Sequence, residues 1–69
     1  MAFRRDEIEI IIERWTNPSG HADFLWSIWR QGRRLQMGGT HPSADAAEAE
    51  ARKVCVQRLG REAEKITRL

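Results

Sequence analysis

One cysteine, Cys55, is all that a chain of 69 residues carries, and that scarcity excludes an internal disulfide. No histidine or second cysteine stands at ligand spacing from it, so it reads as a small buried hydrophobe in a reducing compartment, and the cytoplasm is the expected location. Long apolar runs are missing as well. Ile10-Ile11-Ile12 is the longest aliphatic stretch, and the basic start Met1-Ala2-Phe3-Arg4-Arg5 has no apolar segment behind it. Neither secretion nor membrane spanning is expected. Repeats, low-complexity tracts and linkers are absent too, which leaves residues 1–69 as a single small domain. A domain of this size buries only about 60% of its unfolded surface. With no disulfide to compensate, self-association becomes an expected source of stability.

Charge is small in sum and uneven in place. The net charge is +2, but residues 1–29 hold three basic and five acidic side chains while residues 30–69 hold nine against five. Asp45, Glu48 and Glu50 gather where a helix should begin, which complements the helix macrodipole and accounts for part of the asymmetry without any partner.

What the chain does have is alternation. From Asp23 to Met37, apolar and polar residues alternate on both sides of Gln31-Gly32, a pair suited to a tight primed turn, so Asp23 to Arg30 and Arg33 to Met37 are predicted as a β-hairpin with arginines at its tip. The segment Glu7 to Trp15 fits both helical and strand spacing. Four isoleucines within five residues decide for strand, because β-branched side chains are poor in helices. Thr16-Asn17-Pro18-Ser19-Gly20 joins it to the hairpin as a turn.

Placing Ile12 opposite Trp26 and Ile10 opposite Ile28, then Ile28 opposite Leu35 and Trp26 opposite Met37, makes one face wholly apolar. That predicted core face is Ile8, Ile10, Ile12, Phe24, Trp26, Ile28, Leu35 and Met37. Gly38-Gly39-Thr40-His41-Pro42 is expected to end the sheet, with Ser43 as a helix N-cap. Ala47, Ala51, Val54, Cys55, Leu59, Ala63 and Ile66 then recur at helical steps, predicting a helix of up to seven turns in which Gly60 marks a kink or an end and Arg61 to Leu69 project beyond the sheet. The fold class is therefore α+β: a three-stranded antiparallel sheet packed on one long C-terminal helix, in the order β-β-β-α.

Catalysis needs converging groups, and few converge here. His21 and His41 fall in predicted turns and read as exposed loop histidines. Ser43 has a capping role, Ser19 a turn role, and Ser27 lies mid-strand without a base. Glu9 and Glu13 read as a solvated face with cross-strand arginine partners. No catalytic residue, metal ligand, cofactor or small-molecule substrate is expected.

The outer sheet face is more informative. The expected register puts Glu9, Ile11, Glu13 and Trp15 on it, with Leu25, Ser27 and Trp29, then Arg34 and Gln36. A single helix covers only one face of such a sheet, so Ile11, Trp15, Leu25 and Trp29 are left without a partner in the monomer. They mark either an interface with a second copy or another protein, or a recognition surface in which Trp29 acts with the arginines.

Residues 24–56 carry an aromatic-x-aromatic strand, the Gly32-Arg33-Arg34 turn, Gly38-Gly39, and Ala47-Glu48-Ala49-Glu50-Ala51 opening a helix. In this the chain resembles the three-stranded-sheet-plus-helix amino-terminal domains of phage-type tyrosine integrases, which are similar to plant AP2-type domains. The resemblance covers about half the chain. It implies a sheet lying in the DNA major groove, with contacts from Trp29, Arg30, Arg33, Arg34 and Gln36, and no recombinase activity, since no catalytic domain follows. Glu9 and Glu13 depart from the pattern by placing negative charge on that face. Two functions stay open: a small non-enzymatic module that binds nucleic acid through the sheet and its arginine-rich tip, and a homo- or hetero-oligomeric interaction module that uses the apolar outer face.

Overall fold

The computed structural model describes residues 7–69, so the leader reading of the first six residues lies outside it. Strand β1 spans Ile8–Thr16, β2 Ala22–Arg30 and β3 Arg33–His41, followed by helix α1, Ala44–Leu59, and a fourth strand, β4, Lys65–Arg68. The fold is α+β, with three antiparallel strands followed by one helix as expected, and β4 completes a sheet of order β3-β2-β1-β4.

The first two strands pair in the predicted register, with Ile10 opposite Ile28 and Ile12 opposite Trp26. Asn17 closes their loop: its Oδ1 accepts from the Ser19 N–H at 3.1 Å and the His21 N–H at 3.0 Å. At the second hairpin Gln31 and Gly32 both have positive φ, 56° and 78°, the signature of a primed two-residue turn.

Beyond that turn the register departs from the expected one. Arg30 faces Arg33 and Trp29 faces Arg34, but Ile28 then faces Gln36, Ser27 faces Met37 and Trp26 faces Gly38. Leu35 is an extra residue in a β-bulge, which turns Gln36, Met37 and Gly38 to the faces opposite those expected. Two predicted core residues are thereby corrected: Met37 moves to the outer face and is 50% exposed, while Leu35 stays at the helix-side rim at 46%. The cause is volume. Gly38, not Met37, meets Trp26, and the indole lies across the space a side chain would need, with the site of a Gly38 Cβ only 2.5 Å from Trp26 Cζ2. Gly38-Gly39-Thr40-His41 therefore does not end the sheet but continues β3, past a second register shift, to His41 opposite Phe24.

Helix α1 begins at Ser43, whose Oγ accepts from the Ala46 N–H at 3.1 Å. It ends at Gly60, which adopts a left-handed φ of 75° and donates its N–H to the Val56 carbonyl at 2.9 Å. The seven-turn helix and projecting tail are thus corrected. Sixteen residues form the helix, and the chain then returns as β4, parallel to β1, with Ile66 beside Ile10 and Thr67 beside Ile11. Glu64 fastens the return: its N–H donates to the Ile8 carbonyl at 2.9 Å, and its carboxylate accepts from the Ile8 N–H at 2.7 Å. Arg68 ties β4 to the helix by donating to Asp45 at 2.7 Å and to Glu48 at 2.9 Å.

The core lies between sheet and helix. Ile8, Ile10, Ile12, Trp26 and Ile28 meet Ala47, Ala51 and Cys55, all essentially inaccessible. Alanines at four-residue steps bring the helix axis close to the sheet, and Phe24, Val54, Leu59, Ala63 and Ile66 pack around the edge.

Candidate binding surface

Strand alternation and the bulge together decide what the outer face carries. Running across the strands, its first row is Lys65, Glu9, Trp29 and Arg34, the second Thr67, Ile11, Ser27 and Met37, the third Glu13 and Leu25, and the fourth Trp15 and Asp23. Among the described residues no helix or loop crosses this face, because α1 packs on the other one.

The apolar members expected there do lie together, and Met37 joins them. Trp15 is 61% exposed, whereas Ile11, Leu25 and Trp29 are half-buried by their strand neighbours. Trp29 leans back along β2, donating its Nε1–H to Ser27 Oγ at 2.8 Å, which leaves Ser27 buried on a face that is otherwise open. Trp15, Leu25 and Met37, with Asp23 and Thr40 beside them, line an open depression of about 390 Å³. Sequence reasoning missed Met37. The adjacent glycines opposite Trp26 were the signal that could have found it.

The expected nucleic-acid set is split by the same geometry. Arg34 stands beside Trp29 on the outer face, but Arg30 and Arg33 face each other on the helix side of the hairpin end, and Gln36 lies opposite Ile28, near Arg58 and Leu59. The bulge removes Gln36 from the face it was expected to share with Trp29. Arg33 and Arg34 are exposed, while Arg30 is half-buried.

Charge on the outer face separates along the strands. Arg34 and Lys65 occupy the end next to the β2–β3 turn, and Glu13 and Asp23 the opposite end. Glu9 is the acid at the basic end, and it accepts a hydrogen bond from Thr67 Oγ1 at 2.8 Å. Its strand neighbours are Trp29 and Lys65, which corrects the expectation of arginine partners.

Elsewhere, His21 and His41 line a shallow depression with Asp23. No group of three or more His, Cys, Asp or Glu among the described residues is placed to hold a metal ion. Cys55 is fully buried, its thiol donates to the Arg61 carbonyl at 3.3 Å, and burial, reinforced by the charge of Glu64, pushes its pKa up. No described helix is long and apolar enough to cross a membrane. No protein-family model matches the chain, and neither does any curated protein or solved structure.

Proposed function

We propose that this chain is a small non-enzymatic binding module, at work in the cytoplasm, whose contact surface is the outer face of the sheet and whose partner is protein. One observation carries the reading: Trp15, Leu25 and Met37 line an open depression on the same face as the half-buried Ile11 and Trp29, a face that no described element covers. Exposed apolar patches rimmed by charge are characteristic of protein contacts, where aromatic and methionine side chains are enriched and arginine sits at the edge. The acids Glu13 and Asp23 on the same face oppose a phosphate backbone, and the Trp29 N–H is already engaged. A free thiol at Cys55 suits a reducing compartment.

A photo-reactive residue in place of Met37, introduced in the cells that make the protein, tests this. The expected products are protein adducts, with none from the same group placed at Gln57 on the exposed side of α1. Adducts to nucleic acid, or none at all, would refute the reading.

Nucleic-acid binding is the second reading, and the exposure of Arg33 and Arg34 at the turn favours it. If two arginines neutralise two phosphates, log affinity for duplex DNA falls with log salt at a slope of roughly −2, and the Arg33→Ala/Arg34→Ala variant abolishes that dependence.

A further inference from the structure

Resting on the protein-binding reading, we propose that the partner is a second copy of this chain, stacked sheet to sheet with its strands antiparallel, so that Arg34 of each copy enters the Trp15–Asp23 depression of the other. The charge pattern selects this arrangement. A twofold axis lying in the interface and running across the strands, between the row of Ile11, Ser27 and Met37 and the row of Glu13 and Leu25, exchanges the two ends of the face. The row holding Trp29 and Arg34 then covers the row holding Trp15 and Asp23. An axis along the strands instead lays Arg34 against the partner's basic end and Glu13 against its acidic end, which like-charge repulsion disfavours.

Packing agrees with the charges. In the antiparallel arrangement each strand lies over its own copy, so Met37 covers the region of Gly39, where there is no side chain to compete, and Ile11 covers Glu13 beside Leu25. The guanidinium of Arg34 meets both an exposed indole and a carboxylate, since Trp15 and Asp23 line one depression. Three nine-residue strands about 4.8 Å apart and nearly 30 Å long, flanked by the four residues of β4, offer roughly 500 Å² per copy, hence roughly 1,000 Å² for the pair. That is the lower edge of specific interfaces, so a dissociation constant on the order of 10 μM is expected.

Reciprocal charge reversal tests the contact without relying on any single variant. Sedimentation of the full chain from about 5 to about 500 μM should show a monomer–dimer equilibrium. Asp23→Arg and Arg34→Asp should each weaken it at least about tenfold, because each places like charges together at both symmetry-related contacts. Mixed in equal amounts, the two variants should form a heterodimer, since both contacts of the mixed pair are again opposite in charge. Met37→Asp, at an exposed position the fold tolerates, should leave a folded monomer. A wild-type monomer throughout the range, or a mixture no more associated than its components, would overturn the proposal. A wild-type monomer whose position-37 probe captures a different protein would sink self-association alone and leave the protein-binding reading standing.

Discussion

Replacing Gly38 with alanine should destabilise the domain, although its φ lies outside the left-handed region. The added Cβ stands 2.5 Å from Trp26 Cζ2 and 2.8 Å from Cε2, where carbon atoms ordinarily rest about 3.5 to 4.0 Å apart. Trp26 is 4% exposed and rigid, so its ring has no solvent to swing into, and the strain falls on β3 or on the helix above. Overpacking of this kind costs about 1 to 3 kcal/mol, offset by about 0.5 kcal/mol from the stiffer unfolded chain. A net loss of about 1.5 kcal/mol is large against the roughly 3 to 10 kcal/mol expected for a domain of this length. It should lower the melting midpoint by roughly 6 to 12 °C. In a Trp26→Phe background, which removes the clashing edge of the indole, the same substitution should cost about half as much. Calorimetry showing Gly38→Ala melting at or above wild type, or costing the same in both backgrounds, would refute this account of the β3 register.

Three further outcomes follow from local chemistry. Gln31, at φ 56° in the turn, is a non-glycine residue in the left-handed region; Gln31→Asn should stabilise by about 0.5 kcal/mol and Gln31→Val destabilise by about 1 kcal/mol in urea titrations. The Glu64 carboxylate is held below its ordinary value of 4.5, first by the Ile8 N–H and then by Arg61. Its stabilising contribution is therefore present above that value and lost as pH falls through the lowered one. The difference in melting midpoint between wild type and Glu64→Gln should close as pH falls below 4.5, and a pH-independent gap would count against the Glu64 clasp. The Cys55 thiol, buried with its pKa raised, should react with a thiol reagent only as fast as the domain opens; labelling as rapid as in the unfolded chain would contradict its place in the core.

Much of this fold was legible because the isoleucines of β1 and the aromatics of β2 are unambiguous. Their alternation fixes which side chains share a face, and the register of Ile10 and Ile12 against Ile28 and Trp26 follows from matching apolar positions. Period-two reasoning failed in β3 because it assumes an unbroken ladder, and the bulge at Leu35 inverts Gln36, Met37 and Gly38 until the second register shift before His41. The extra strand was hidden for a different reason. Leu59, Ala63 and Ile66 continue the helical spacing of α1, so periodicity extends the helix past Gly60, although a glycine stop followed by the β-branched pair Ile66-Thr67 favours a turn and a strand. Both errors bear on the candidate surface. Without the bulge Met37 belongs to the core and Gln36 to the outer face, and without β4 the rows containing Glu9 and Ile11 lack Lys65 and Thr67 respectively.

The stability of the monomer does not account for the composition of the outer face. The core is closed by Ile8, Ile10, Ile12, Trp26 and Ile28 under the helix, and nothing on the opposite face contributes to that closure. Trp15 at 61% exposure and Met37 at 50% leave much of their apolar surface in water, where it contributes no burial to the folded chain. The bulge increases this exposure by moving a methionine out of the core, and glycine takes the position it leaves opposite Trp26. A polar residue at 37 would cost the isolated domain little and spare it an aggregation hazard. On the proposed protein-binding reading the side chain belongs to a surface that a partner covers. The opposed charges at the two ends of that surface would then give the covering a direction.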